Sequence, residues 1–191
     1  MIKQNYKREK MPWLLILGAI IVVIALVIVY YINQIQVLSN QIENSWAQID
    51  VQLQRRAELI PNLVNVVKGY AKHEKEVFEN VTKARTAMMQ ASGRADKIRA
   101  SDQLSTALKS LFAVVENYPE LKANQNFLAL QEELTNTENK IAYARQFYND
   151  AVLRYNNMIT TIPGVWFAGG RKPKEYLEAP KEERAPPKVE F

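Results

Sequence analysis

From Trp13 to Ile32 the chain reads WLLILGAIIVVIALVIVYYI, a run of twenty residues with no charged or amide side chain. At 1.5 Å rise per residue this run is about as long as the roughly 30 Å hydrocarbon core of a bilayer. Such a segment must be a helix in lipid, because only a helix bonds its amides and carbonyls within itself. Trp13 at one end and Tyr30 and Tyr31 at the other stand where amphipathic rings favour the headgroup level. A helix buried in a small soluble core would carry a polar face, and this one has none. A cleavable signal peptide would have a shorter apolar run followed by a small-x-small site, and no such site precedes Asn33. The run is therefore read as an uncleaved transmembrane helix, residues 13–32, behind a basic tail, residues 1–12.

Lys3, Lys7, Arg8 and Lys10 precede the span, and no basic residue lies between Asn33 and Gln54. Positive residues flanking a span stay in the cytoplasm, so the expected topology places the N-terminus inside and the rest of the chain outside. The same tail accounts for most of the formal charge of +5, since its four cations and Glu9 leave only +2 for the remainder. No basic stripe interleaved with aromatics follows, which argues against nucleic acid as a partner. Cysteine is absent, which removes disulfides, thiolate metal sites and thiol nucleophiles. With the anchor set aside, the 191-residue chain leaves enough length for one domain with its own core.

Past the anchor, Ile35, Leu38, Ile42, Trp46, Ile49, Leu53, Ala57 and Ile60 recur at helical spacing. The anchor is thus expected to run on as the first bundle helix until Pro61, where the missing amide hydrogen predicts a kink or restart. A second apolar face passes through Val64, Val67, Ala71, Phe78, Val81 and Met88. Ser92 to Asp96 reads as a turn, and a third, shortest helix is expected from Ser101 or Asp102 to Tyr118. From Phe127 through Leu130, Leu134, Thr137, Ile141, Ala144, Tyr148, Ala151, Tyr155 and Met158 to Ile162, steps of three and four alternate without a slip. That heptad pattern implies a narrow seam packed against another helix, as in a coiled coil, ending at Pro163-Gly164. The expectation is an all-α fold, an elongated antiparallel helical bundle over residues 33–165. A proline- and charge-rich tail, residues 166–191, is too poor in apolar residues to fold alone. The seams could also be completed by other copies of the chain.

Little in the chain suggests catalysis. There is no glycine-rich phosphate loop, no serine elbow and no nucleophile with a base at a recognisable spacing. His73 is the sole histidine, and with only Glu74 and Glu76 near it it falls short of the three or more ligands a metal site needs. No cofactor, metal or small-molecule substrate is implied, and an enzyme is not expected. Asn80-Val81-Thr82 fits a glycosylation sequon but falls mid-helix. The densest charge cluster is Asp50, Arg55, Arg56 and Glu58. Glu74 and Arg85 fall on or beside the apolar stripe of the next helix. The cluster reads first as an exposed ion-pair face, since such pairs are common and individually weak; the sharper reading is that Asp50, Arg55, Arg56, Glu74 and Arg85 form a buried polar network that fixes helix register.

The stretch Trp46–Glu74, WAQIDVQLQRRAELIPNLVNVVKGYAKHE, closely resembles the signature of the LemA family of bacterial membrane proteins. The likeness continues through Val81, Ala84, Arg85 and Tyr155-Asn156. It ends on Tyr176-Leu177-Glu178-Ala179, Pro186, Lys188-Val189 and Phe191, with Leu177 where the family usually has an aromatic. The resemblance implies a single-pass protein of the bacterial inner membrane with an antiparallel helical bundle, and carries over no catalytic residues. The function expected is that of a non-enzymatic envelope scaffold, associating with the lipid bilayer and, through its seam and tail, with itself or another membrane protein. The alternative is a ligand-sensing ectodomain that signals through a partner.

Overall fold

The computed structural model describes residues 2–178, with side chains from residue 13 onward. These residues contain helices and no strand. Helix α1 spans Ile2–Tyr70, α2 Lys75–Gln90, α3 Arg94–Val115, α4 Pro119–Lys122 and α5 Gln125–Thr160, and a 3-10 turn follows at Gly164–Phe167. Two units share these elements, Met1–Ile42 with Asp150–Glu175, and Glu43–Asn149 with Tyr176–Phe191.

In the first unit, α1 is already helical at Ile2, within the segment read as a basic tail. Every side chain from Trp13 to Tyr30 is exposed, and the helix is long and apolar enough to cross a membrane. In water, so much uncovered apolar surface would be costly at about 25 cal/mol per Å²; lipid removes the cost. From Ile35 the pattern turns inward, and Ile35, Leu38 and Ile42 are buried, as are Val152, Tyr155 and Ile159 of α5. The heptad seam holds from Phe127 to Tyr155 and then slips. Ile159 is buried, Met158 only half so, and Ile162 is exposed. An α-helix has 3.6 residues per turn, so a strict 3.5-residue pattern drifts off the buried face. Of the seam residues from Phe127 to Tyr155, all but the half-buried Leu130 are buried within the chain.

In the second unit, Ile49, Leu53, Ala57, Ile60, Leu63 and Val67 of α1 form a buried stripe, and Phe78, Val81 and Met88 of α2 are buried as expected. The breaks differ from those the sequence suggested. Helix α1 does not restart at Pro61 but runs to Tyr70, and Pro61 itself is exposed. A single turn closes the break instead, with the Glu74 amide donating to the Ala71 carbonyl at 3.2 Å.

Helix α3 begins at Arg94, not at Ser101, and with 22 residues it is longer than α2. Arg94 to Asp96 fall in the segment expected to be a turn, yet Arg94 pairs with Glu43, and the next residue, Lys97, with Asp50, both on α1. Its polarity reflects a bonded helix face. Asn124 caps α5, its Oδ1 accepting the Phe127 amide at 3.1 Å.

The chain after the 3-10 turn has no regular structure but is tied to α5. The side-chain amide of Asn156 brackets the Lys174 backbone, donating to its carbonyl at 2.9 Å and accepting its amide at 2.8 Å. Asn149 holds Leu177 in the same way, at 3.0 and 2.8 Å, and Leu177 is buried. Two asparagines thus supply the partners that an extended strand would take from a sheet. Residues 179–191, which include Ala179, Pro186, Lys188, Val189 and Phe191 of the tail motif, lie outside the described residues.

Candidate functional site

Of the five residues expected in a polar network, Arg56 alone is fully buried, at 4% exposure. Its position on the buried stripe of α1 aims the guanidinium into the bundle, where it reaches two other helices. Nη1 donates to Ser101 Oγ at 3.1 Å and Nη2 to Ser105 Oγ at 3.0 Å, both on α3. Nη1 also pairs with Glu138 Oε2 of α5 at 2.6 Å. Burial lowers the Arg56 pKa from its ordinary value, and the charges of Glu138 and Asp102 oppose that shift. Arg56 Nε has no hydrogen-bond partner among the described residues. Beside it, Arg145 Nη1 donates to Asp102 Oδ1 at 3.0 Å, joining α5 to α3. Arg145 Nη2 also reaches the Glu178 carbonyl of the C-terminal segment.

The other expected members take different partners. Asp50 pairs with Lys97 at 2.5 Å, and Arg55 with Glu133 at 2.9 Å on an exposed face. Glu74 occupies the N-cap position of α2 without a side-chain cap, and its side chain makes no hydrogen bond or ion pair among the described residues. The break at 71–74 takes it away from the helix face on which the sequence pattern put it. Arg85 Nε donates to the Ala57 backbone carbonyl at 2.7 Å. Ala57 is four residues before Pro61, so its carbonyl is the one that proline deprives of a helical donor. Arg85 therefore replaces the missing amide, which explains how α1 passes through Pro61 unbroken.

The network residues missed from sequence are Ser101, Ser105, Asp102, Glu138 and Arg145. A serine in an apolar helix face and a carboxylate directly after the seam residue Thr137 are the sequence signals for them. A further cluster holds Arg94 against the rings of Trp46 and Tyr148, at 5.4 and 5.9 Å from their centroids. The two rings meet edge to face at 6.4 Å. This contact explains why Trp46, the first residue of the signature, is aromatic.

Two of the surface grooves bear on function. One, of about 430 Å³, has Ala47, Gln48, Val51 and Gln52 of α1 along one wall and Lys140, Tyr143, Ala144 and Phe147 of α5 along the other. Tyr143 and Phe147 are each 66% exposed, while Gln52 Oε1 is buried without a partner among the described residues. An aromatic pair four residues apart and off the heptad seam was the available signal for this face. The other groove, of about 920 Å³, runs along α2 and the end of α1, with Lys68, Lys72, Lys75 and Lys83 and one carboxylate, Glu79, around Phe78. Lys68 Nζ lies 5.5 Å from the Phe78 ring, and no carboxylate pairs with any of the four lysines among the described residues. No group of three or more His, Asp or Glu side chains able to hold a metal occurs among the described residues.

These features define an all-helical, membrane-associated protein with one candidate span and a bundle locked by a buried arginine. The chain belongs to the LemA family, whose profile matches residues 45–191. Among its relatives, magnetosome protein MamQ 2 of Paramagnetospirillum magneticum is 26% identical over 188 residues, covering 84% of this chain and 69% of its own. Protein LemA of Metamycoplasma hominis is 23% identical over 131 residues, covering 68% of this chain and 60% of its own. Magnetosome protein MamQ of Magnetospirillum gryphiswaldense is 26% identical over 159 residues, covering 69% and 58%.

Proposed function

We propose that this chain is a non-enzymatic, membrane-anchored scaffold of the bacterial envelope that works by self-association. The observation that carries this reading is the exposed groove between α1 and α5. Tyr143, Phe147 and Val51, all well exposed, line it together with the small residues Ala47 and Ala144. Knobs beside small residues suit a two-fold contact in which each copy places its aromatics over the other's alanines. Two aromatics exposed to this degree contribute roughly 300 Å², a substantial part of the about 800 Å² a side that stable interfaces bury. The unpartnered Gln52 Oε1 offers an acceptor to a donor from the second copy.

The test is the oligomeric state of the full chain in nanodiscs or detergent. The wild type should form dimers or larger assemblies, and the double variant Tyr143→Glu, Phe147→Glu should be monomeric with unchanged helical circular dichroism. A wild type that stays monomeric at all concentrations, or assembly indifferent to the double variant, would refute the reading.

The bundle is proposed to lie outside the cytoplasm of the inner membrane, on the strength of the basic flank. Single cysteines at Gln4 and Gln90, labelled in intact cells with an impermeant thiol reagent, test this. Labelling at position 4 alone reverses the orientation. A second reading, a ligand-sensing domain, draws support from the lysine-rich groove, which suits an anionic ligand. It predicts saturable stabilisation by an anionic compound in a thermal-shift screen that Lys72→Glu abolishes, and absence of any such compound counts against it.

A further inference from the structure

The first unit carries a second apolar surface besides the span. After α5 ends at Thr160, the chain turns through the 3-10 segment Gly164–Phe167. The turn presents its side chains in two directions. Phe167 stacks on Tyr31 with centroids 5.2 Å apart and planes 21° from parallel. Ile162 and Trp166 point away from protein, 73% and 70% exposed, with Val165 also exposed. Tyr31 meets Tyr30 edge to face at 5.4 Å, and these two tyrosines close the apolar run at its C-terminal end. The turn is therefore held at the level where the span leaves the hydrocarbon.

Its geometry is tightly held. Gly164 is buried, and a Cβ there would collide with the Met158 carbonyl, so only glycine lets the turn sit this close to α5. Gly169 and Gly170 have φ of +58° and +74°, a region that glycine enters without strain. They reverse the chain so that Arg171 and Lys172, both exposed, follow directly. Arg171 donates back to the Ala168 carbonyl through its amide and its Nη1, both at 3.1 Å. The sequence order is thus three exposed apolar side chains, two glycines and two cations, beside a pair of interfacial tyrosines.

We infer that this turn is a second membrane contact, with Ile162, Val165 and Trp166 inserted into the headgroup–acyl boundary beside Tyr30 and Tyr31. Arg171 and Lys172 then face the anionic headgroups. The inference rests on the reading of Trp13–Ile32 as a span, and the lipid surface is favoured over other occupants because the stacked Tyr31 makes the turn continuous with the end of that span. Tryptophan has an apolar body with one N–H, the chemistry that this boundary rewards. Docking the turn there would fix the rotation and tilt of α1 at the exit from the bilayer, which one helix alone leaves free.

Tryptophan fluorescence of the full chain reconstituted in vesicles tests this. The variant Trp13→Phe, Trp46→Phe reports on Trp166, and Trp46→Phe, Trp166→Phe reports on Trp13. The vesicles are phosphatidylcholine and phosphatidylglycerol, with or without bromine at carbons 6 and 7 of the acyl chain. Apolar side chains at this boundary lie about 5–10 Å deep, within reach of those bromines. Trp166 should emit to the blue of aqueous tryptophan, lose about half its intensity or more to bromolipid, and resist acrylamide. If Trp13 is quenched by bromolipid while Trp166 is not, the turn makes no lipid contact and the inference is overturned with the span intact. That outcome includes a Trp166 shielded from both quenchers by protein. If Trp13 is not quenched, the span reading fails, and the inference fails with it whatever Trp166 does.

Discussion

Replacing Arg85 by methionine should destabilise the bundle by an amount that depends on whether residue 61 is proline. Arg85 Nε donates to the Ala57 carbonyl at 2.7 Å, and Ala57 is 0% exposed. Pro61 has no amide hydrogen for that carbonyl, so removing Arg85 leaves it without a donor in a place water reaches poorly. A hydrogen bond from a charged group contributes about 1.5–3 kcal/mol. Arg85 is partly exposed, so we expect the low end, about 1.5–2 kcal/mol for Arg85→Met in the natural chain. In the Pro61→Ala background the carbonyl regains the amide of residue 61, and the same substitution should cost about 1 kcal/mol less. For a chain of this size each kcal/mol moves Tm by about 2–4 °C. The four proteins of the cycle can be compared in detergent by urea and thermal unfolding, followed by far-UV circular dichroism. Equal costs of Arg85→Met in the two backgrounds would show that Arg85 does not stand in for the proline's missing amide.

Three further outcomes follow from the same structure. Glu138→Leu should cost about 2 kcal/mol, because it strands a buried arginine, whereas Arg56→Met leaves a half-exposed glutamate in water and should cost under about 1 kcal/mol; urea unfolding decides, and the reverse order would refute the asymmetry. Burial raises the Asp102 carboxyl above its ordinary range, with Arg145 opposing and Glu138 reinforcing. The folded state thus holds this proton more tightly than the unfolded chain, so the contribution of Asp102 to stability is present below the ordinary carboxylate range and lost as pH rises through the raised value. The stability of Asp102→Asn relative to wild type should therefore increase across that window and level off above it, and a pH-independent difference would exclude the mechanism. Gly164→Ala should destabilise by about 1–3 kcal/mol, since the new methyl meets a backbone carbonyl that cannot swing aside; an unchanged thermal midpoint for the turn region, followed by Trp166 fluorescence, would refute it.

The local, repeating features of the chain were legible in its sequence. Twenty apolar residues define a span by length and composition alone, and the three-four spacing from Phe127 to Tyr155 named the buried face of α5, because both depend only on residues near one another along one helix. The chemistry of the bundle interior was less legible, since a polar side chain does not state its partner. Arg56 is buried, yet Ser101, Ser105 and Glu138, which satisfy it, lie 45 to 82 residues away and carry no spacing signal. Arg94 reads as part of a turn in the sequence because the acid that pairs with it sits on another helix.

Proline 61 separates the two kinds of information. Its sequence correctly says that one amide is missing from α1, a covalent fact that no fold can change. Whether the helix breaks there depends on whether something else fills the vacancy, and a guanidinium from 24 residues further along does so. The sequence determined the anchor, the helical class and the buried faces, because backbone hydrogen bonding and periodicity are local. Tertiary structure alone decided where the helices end, which charges meet, and which aromatics, Tyr143, Phe147 and Trp166, are left facing outward, because each is settled by competition among surfaces that are distant in the chain.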